Sequence, residues 1–205
     1  MSHMIRVGLV ILVAVLTGCS KSFTVKVSPA GAVNSIPVSL EGQVGAPKYS
    51  AVIRRYDRTY NGNSVVFDES SKNRLAQMIG ELGIFRSIAL TGSQDSQSAQ
   101  LDVFMQESYN PSGTTLFVKG FLVGASFLVL APVIPIYLEQ TTTLTVRVQK
   151  PDSSSRDYSV SATVEGECYF FSIKGCRSEL PFHGFNAAAR ELMTRMAAER
   201  AWLQQ

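Results

Sequence analysis

The fold is decided by residues 141–165, TTTLTVRVQKPDSSSRDYSVSATVE. In the first half Leu144, Val146 and Val148 alternate with polar residues, and in the second half apolar residues recur at every second position over 158–164. The connecting segment 151–157 is polar and rich in serine. Because successive side chains of a strand point to opposite faces, this pattern predicts an antiparallel hairpin with one buried face and one wet face.

A strand–helix–strand order is predicted upstream of this hairpin. Residues 69–82 predict a helix that ends at Gly83, since four apolar residues share one face at three-four spacing. These four are Leu75, Met78, Ile79 and Leu82. A strand follows, in which Leu101, Val103 and Met105 alternate with their neighbours.

Shorter strands are predicted in the first half of the chain. Phe23–Val27 alternates in the manner of an early strand, and residues 49–60 predict another. Asn61-Gly62 is a strong hairpin signal, and it predicts a turn into a strand that includes residues 65–67. Residues 88–90 are followed by a predicted polar loop over 92–98.

The last predicted element is a helix over 186–203 with Asn186 as its cap. Its apolar stripe favours packing onto the sheet over docking of a partner, and consists of Ala189, Leu192, Met193, Met196 and Leu203. The predicted class is therefore α+β. It comprises a mixed, mainly antiparallel sheet, two amphipathic helices (about 69–82 and 186–203) packed on it, and an apolar segment over 116–138.

Composition limits the classes of partner. The formal net charge is +3, and removal of residues 1–18, which hold only Arg6, leaves +2. This balance is too weak to indicate nucleic-acid binding. The groupings Arg54-Arg55 and Arg195/Arg200 are interpreted as solvated faces, and no nucleic-acid partner is expected.

The amino terminus has the features of an export signal. Arg6 precedes an apolar run from Val7 to Leu16, which is too short to span a bilayer. The run ends in Leu16-Thr17-Gly18-Cys19, which resembles the lipobox of bacterial lipoproteins. The resemblance implies transfer of diacylglycerol to the sulfur of Cys19, cleavage after Gly18 and acylation of the new amine. The alternative is an ordinary signal peptide with an incidental cysteine.

This resemblance sets the expected organisation and location. Residues 1–18 are a signal peptide, 19–47 are the lipidated amino terminus with a tether and early strand, and 48–205 are one α+β periplasmic domain. Acyl chains on one residue hold a protein firmly to a membrane without spanning it. Ser20 stands where an aspartate commonly signals retention in the inner membrane. We therefore expect a lipid anchor in the outer membrane, with the protein facing the periplasm.

With lipid on Cys19, an even number of cysteines remains. In an oxidising periplasm Cys168 and Cys176 predict a local disulfide that closes a hairpin or bulged loop, with Lys174-Gly175 as the turn. The alternative is two unpaired thiols. A metal site is not expected, because His183 is the only mature histidine and these spacings do not assemble four ligands.

An uncharged apolar segment covers Gly120–Leu138. A transmembrane helix is disfavoured by Pro132 and Pro135, and a pair of buried strands is the leading interpretation. A third interpretation is an oligomer interface or membrane insertion, since small residues permit close helix approach. The candidate partner or membrane contacts are Gly120, Phe121, Leu122, Gly124, Phe127, Leu128, Leu130, Ile134 and Ile136.

The residues offer no catalytic constellation, and no enzyme activity or cofactor is expected beyond the covalent acyl chains of Cys19. His183 lies between aromatic residues and beside a glycine, which is typical of a turn packed on a core. The layout resembles small periplasmic lipoproteins of secretion, polysaccharide-export and penicillin-binding-protein-activating systems. It implies a scaffold or assembly subunit with other envelope proteins or further copies as partners. The alternative is a ligand- or lipid-binding lipoprotein that uses 120–138.

Overall fold

The computed structural model describes residues 21–29, 47–65, 69–90, 97–111, 124, 135–169 and 173–204. The strands and helices in chain order are β1 (Ser22–Pro29), β2 (Ala51–Tyr60), β3 (Asn63–Ser64), α1 (Glu69–Glu81), β4 (Ile88–Ala89), β5 (Ala99–Pro111), β6 (Pro135–Gln149), β7 (Ser155–Tyr169), α2 (Ile173–Ala198) and α3 (Arg200–Gln204). The predicted α+β class is confirmed: a mixed, mostly antiparallel sheet carries packed helices.

The strands form one sheet in the order β1-β7-β6-β5-β2-β3, and β4 also pairs with β2. β2 runs parallel to β5, with Ile53 opposite Leu101. Parallel neighbours need a crossover connection, and the chain between β2 and β5 contains α1. The predicted strand–helix–strand order is thus confirmed. The two-residue strand β4 pairs parallel to β2, with Ile88 opposite Ala51.

The turn predicted at Asn61-Gly62 joins β2 to β3. Asn61 has φ 48° and Gly62 has φ 79°, and two successive positive φ values are typical of the tight turns that match the twist of a hairpin. β3 ends at Ser64, which lies opposite Thr59. The predicted strand over 65–67 reaches the described residues only at Val65, whose amide donates to the carbonyl of Arg58 at 2.9 Å.

The chain divides into two compact units. One comprises Met1–Lys26, Tyr109–Gln140 and Thr163–Gly184, and the other comprises Val27–Ser108, Thr141–Ala162 and Phe185–Gln205. Each unit has a hydrophobic core of its own among the described residues. Within those residues, no helix combines the length and apolar character needed to cross a membrane.

The core of the second unit confirms the predicted alternation. Leu101, Val103 and Met105 on β5 are buried, as are every second residue of the β6 stretch 144–148 and of the β7 stretch 158–162. These side chains pack with residues of α1 and α2. The apolar face of the strands is therefore the face that the helices cover.

Helix α1 agrees with its predicted bounds. Leu75 and Ile79 are fully buried, while Met78 and Leu82 are partly buried against the same core. The helix ends where predicted, because Gly83 has φ 60° and its amide donates to the carbonyl of Gly80 at 3.0 Å. A positive φ at this position is easily adopted by glycine.

Helix α2 begins at Ile173, so the predicted start at Asn186 is wrong. Cys176 and Leu180 are fully buried and place the first turns of the helix in the core of the first unit. Pro181 lies inside the helix, although a proline there removes one backbone donor. The predicted stripe itself is confirmed, since its members Ala189, Leu192, Met193, Met196 and Leu203 are all buried.

The core of the first unit contains the predicted disulfide. Cys168 near the end of β7 is bonded to Cys176 in the first turns of α2, and both side chains are fully buried. The predicted hairpin with a turn at Lys174-Gly175 is wrong, because both residues are helical. Helix α2 begins four residues after the last residue of β7, so the disulfide joins a strand to a helix.

We expect the Cys168→Ala/Cys176→Ala variant to lose about 2.5 kcal/mol of unfolding free energy, because the bond closes a short loop in the unfolded chain. Urea denaturation, followed by far-ultraviolet circular dichroism, measures this loss. A reductant should lower the midpoint of the wild type and leave the midpoint of the variant unchanged. Equal midpoints for wild type and variant without reductant would contradict the prediction.

Candidate functional site

Four charged side chains of alternating sign cross the sheet of the second unit. Asp157 on β7, Arg147 on β6, Asp102 on β5 and Arg54 on β2 occupy four adjacent strands. Arg147 and Asp102 each lie between two buried core residues, which places them on the face opposite the helices, and their ion pairs with Asp157 and Arg54 bring those two residues to the same row. We call these four residues the charge row, and its signs run negative, positive, negative, positive.

Two bidentate ion pairs build the charge row. Arg54 donates from Nε to Oδ1 of Asp102 at 2.9 Å and from Nη2 to Oδ2 of the same carboxylate. Arg147 donates from Nε and Nη2 to the two oxygens of Asp157 at 2.8 and 2.9 Å. Paired parallel hydrogen bonds fix the guanidinium and carboxylate planes. The charged groups of the row are therefore ordered before any partner binds.

The two ion pairs differ in exposure. The side chain of Asp102 is only 9% exposed, and Arg54 also donates from Nη1 to Oε1 of Gln100 at 2.9 Å. The side chains of Arg147 and Asp157 are 52% and 49% exposed. An exposed pair contributes little to stability because water and salt screen it. The Arg147–Asp157 pair is therefore more available for contacts with another molecule than for support of the fold.

A β-bulge in β2 brings Arg54 into the charge row. The register with β5 shifts between Ile53, opposite Leu101, and Arg55, opposite Asp102, so that one extra residue is inserted. Bulges of this kind redirect side chains. Arg55 also lies beside this row: it pairs with Asp57 at 2.6 Å, and its guanidinium stacks on the ring of Phe104 at 5.3 Å.

The charges of the row influence one another across the strands. The pKa of Asp157 lies below its ordinary value because Arg147 donates hydrogen bonds to it and attracts its charge. The pKa of Arg147 is raised by the hydrogen bonds and charge of Asp157, and further by the charge of Asp102 on the other side. The hydrogen bond and charge of Asp102 raise the pKa of Arg54 in the same way.

A groove of about 530 Å³ lies over the charge row. It is lined by Arg54, Asp102, Arg147, Gln149, Ser155, Arg156 and Asp157. Guanidinium groups donate hydrogen bonds and the carboxylates accept them, so the groove matches a surface that carries both charges. Among the described ranges, no three His, Cys, Asp or Glu side chains converge as they would around a metal ion.

The polar face continues beside the charge row. Thr145 and Ser159 share a hydrogen bond at 2.8 Å, and Thr143 and Ser161 share one at 2.5 Å. These pairs join β6 to β7 on the face that carries Arg147, and cross-strand hydroxyl pairs stabilise such a face. The predicted polar face of the hairpin is confirmed, and its hydroxyl groups bond to each other.

Residues near the carboxy terminus fix the position of one wall of the groove. Arg156 and Lys150 stack on the ring of Trp202 at 4.5 and 4.7 Å, and Arg156 also pairs with Glu199. Tyr158 donates to the same Glu199 at 3.1 Å, and burial together with this carboxylate raises the pKa of Tyr158. Cation–π contacts of this kind fix the Arg156 side chain in the groove.

The arginine groupings differ from the prediction in part. Arg54 and Arg55 are solvent-accessible, as predicted, but both take part in ion pairs. Arg195 does not lie on a solvated face: its side chain is 15% exposed and donates to the carbonyl of Ser159 and to Glu191. Arg200 donates to the carbonyl of Gly83. These two arginines have a structural role, because their hydrogen bonds join a helix to neighbouring backbone or side-chain groups.

The other predicted site residues have mixed outcomes. Cys19 and the contacts at 120–122, 127, 128, 130 and 134 lie outside the described residues. Gly124 is exposed, whereas Ile136 is 4% exposed and packs in the core of the first unit, where an apolar residue on the helix-facing side of β6 is buried. The predicted turn at His183 is wrong, because this residue lies within α2.

No protein-family model and no curated protein matches the sequence. Fourteen chains of solved structure match it. One is a PelC dodecamer from Paraburkholderia phytofirmans in space group P6, with 11% identity, 89% coverage of this chain, 98% coverage of that chain and a TM-score of 0.32. A variant of the PelC dodecamer in space group C2 has 10% identity, coverages of 89% and 99%, and a TM-score of 0.32.

We expect the Arg147→Gln variant to raise the pKa of Asp157 toward the ordinary value of an aspartate, because the hydrogen bonds and charge of Arg147 lower it. Because the folded-state pKa of Asp157 is lowered, its stabilising effect is present above pH 4 or so and is lost as the pH falls through the folded-state value. Titration followed by carboxyl NMR measures the shift. Asp152 serves as the internal control, since its pKa is lowered by hydrogen bonds from Ser154. An unchanged pKa of Asp157 would show that Arg147 is not its partner in solution.

Proposed function

We propose that this protein is a lipid-anchored assembly subunit of a multiprotein system in the bacterial cell envelope. Through the charge row it binds a second copy of itself. The single observation that carries the proposal is the alternation of sign across four adjacent strands. A surface of this kind has little net charge. Its alternating signs nevertheless favour one orientation of a bound partner over the others.

The charge row is complementary to its own copy. A two-fold axis parallel to the strands reverses the order of the row in the second molecule, so that each aspartate faces an arginine. Isologous interfaces of homodimers require this kind of self-complementarity. Asp157 then faces Arg54 of the second copy, and Arg147 faces Asp102. Complementary charges of this type fix the register of an interface more than they raise its affinity.

The geometry of the row lowers the cost of association. Side chains that are already ordered by their own hydrogen bonds lose little conformational entropy when a partner arrives. The exposed Arg147–Asp157 pair and the half-exposed Arg54 keep donors and acceptors accessible. The partly buried Asp102 supplies a fixed negative charge between the two arginines.

The amino-terminal motif supports the envelope location. Leu16-Thr17-Gly18-Cys19 provides the acylation site, and the buried Cys168–Cys176 disulfide fits a compartment in which disulfides form and persist. Since those two thiols are bonded to each other, Cys19 is the one cysteine of the sequence left for acylation. We assign the anchor to the outer membrane because Ser20 follows this cysteine.

The lipid anchor is tested by the intact mass of the native protein extracted from membranes. We expect a chain that starts at Cys19 and carries a diacylglycerol group and one amide-linked acyl chain. The Cys19→Ser variant should lose both the added mass and the association with membranes. A native protein that keeps residues 1–18 and a bare Cys19 thiol would disprove the anchor.

The charge row is tested by exchange of charges in the mature chain prepared without lipid. The exchange Arg147→Asp/Asp157→Arg keeps an ion pair within each copy but makes every contact across the two-fold axis repulsive. We expect a dimer for the parent chain and a monomer for this variant by light scattering coupled to gel filtration. High salt should also weaken the parent dimer, since screening shortens the reach of charges.

A second exchange provides the decisive control. Adding Arg54→Asp/Asp102→Arg restores the alternation with opposite signs, so the four-fold variant should dimerise with itself and not with the parent chain. The matched exchange Lys26→Glu/Glu165→Lys, at an exposed ion pair outside the row, should leave the dimer unchanged. A parent chain that is monomeric at all concentrations tested would refute self-association through this surface.

A further inference from the structure

The chain between the acylation site and the fold is short. β1 begins at Ser22, three residues after Cys19. Three residues of extended chain span at most about 11 Å. This inference rests on the lipid anchor of the proposed function: with acyl chains on Cys19, the start of β1 lies within that distance of the bilayer surface. The residues around the start of β1 are therefore close to the lipid.

An aromatic surface lies at the start of β1. The ring of Phe23 stacks on His183 of α2 with centroids 4.7 Å apart, and Phe182 contacts the same histidine edge-on at 5.9 Å. Val25 follows Phe23 at the two-residue spacing that puts both on one face of the strand. We call Phe23, Val25, Phe182 and His183 the aromatic edge.

Two members of the aromatic edge expose apolar surface to solvent. Phe182 is 52% exposed and Val25 is 40% exposed, whereas Leu180, two residues before Phe182, is fully buried. Leu180 therefore belongs to the core of the first unit, whereas Phe182 lies outside this core. β1 is also an edge strand of the described sheet. Apolar side chains of an edge strand can reach a neighbouring bilayer.

Cations lie just before β1 and in the first turns of α2, the two elements that carry the aromatic edge. Lys21 lies two residues from Cys19, pairs with Glu179 at 2.9 Å and approaches Gly175. Lys174 and Arg177 are exposed in the first turns of α2. Positive charge at a helix amino terminus opposes the helix dipole, so these residues do not stabilise the helix end. Anionic lipid headgroups would supply the compensating charge.

We propose that the aromatic edge is a membrane-contact surface, at which Phe182 and Val25 enter the bilayer interface and Lys21 and Lys174 lie among anionic phospholipid headgroups. Apolar residues flanked by lysines are the composition of interfacial membrane contacts. Aromatic rings are especially favoured at this depth. The acyl chains alone hold the protein at the bilayer, and the aromatic edge adds a second contact that fixes its orientation.

Tyr137 provides a matched control. It is 55% exposed and aromatic, and it belongs to the same unit as Phe182. Its neighbours on β6, Ile136 and Leu138, pack in the core beside Leu180 of α2. Tyr137 therefore points to the opposite face of the sheet from α2 and should not reach the bilayer interface.

The experiment uses the full lipidated chain in vesicles of phosphatidylethanolamine and phosphatidylglycerol with brominated acyl chains. Phe182→Trp and Tyr137→Trp each add one indole to the native Trp202, whose own emission is subtracted with the wild type. Bromine quenches an indole only at close range. We expect the quenching of the added indole to be at least about twofold greater at 182 than at 137, because the interface favours aromatic rings.

The headgroup contact is tested in the Phe182→Trp chain by Lys21→Glu/Lys174→Glu. Reversal of both charges should reduce the quenching in anionic vesicles and leave it unchanged in phosphatidylcholine vesicles. The control Lys26→Glu removes a lysine of the same strand that pairs with Glu165, and it should have no effect. Equal quenching for the double variant and its parent in anionic vesicles would overturn the headgroup contact.

The possible failures are distinguishable. A chain that is bound to vesicles and acylated at Cys19, but whose indole at 182 is quenched no more than the one at 137, overturns the membrane-contact surface and leaves the anchor standing. A native protein whose Cys19 carries no acyl group overturns the anchor. Emission at 182 that shifts with protein concentration in the absence of lipid would assign the aromatic edge to a second copy and overturn the proposal.

Discussion

Strict two-residue alternation in the β6–β7 hairpin is the constraint on which both faces of the sheet depend. Leu144, Val146 and Val148 are fully buried beneath the helices, and the residues between them form hydroxyl pairs and the Arg147–Asp157 ion pair on the other face. A slip of one residue would exchange the two faces and bury charge. Burial of the apolar set therefore fixes the register, and the register fixes which charges meet. The charge row is in this sense a consequence of the core.

The elements that could be predicted from the sequence are those marked by a pattern of neighbouring residues. Periodicity alone located β6, β7 and α1, and the Asn61-Gly62 pair located the first turn. The start of α2 was mispredicted because Pro181 and its glycine neighbours are local helix breakers. Burial of Leu180 and the bond to Cys168 favour the helix there, and both are tertiary contacts. The disulfide pairing was predictable from the count of cysteines, but its place between a strand and a helix was not.

Only one of the two ion pairs of the charge row could be predicted from the sequence. Arg147 and Asp157 flank a predicted hairpin symmetrically, so their pairing follows from the hairpin once its centre is known. Arg54 and Asp102 are 48 residues apart and meet because β2 and β5 are adjacent and because a bulge redirects Arg54. No local pattern marks that bulge. The contacts of Phe23 with His183 likewise depend on helix α2 beginning early, which the sequence did not indicate.

A membrane anchor changes the strength that an interface needs. Charges that are already paired within one chain and partly screened by water gain only part of their attraction from a second copy, so the dimer of the lipid-free chain should be reversible and dependent on concentration. Attachment to a bilayer confines the copies to a surface and raises their effective concentration, which multiplies the occupancy of a weak contact without new interactions. A fixed orientation toward the bilayer adds to this effect because it removes unproductive encounters. The proposed anchor, the aromatic edge and the charge row thus act together, and self-association of the anchored chain is expected to exceed that of the same chain released from lipid.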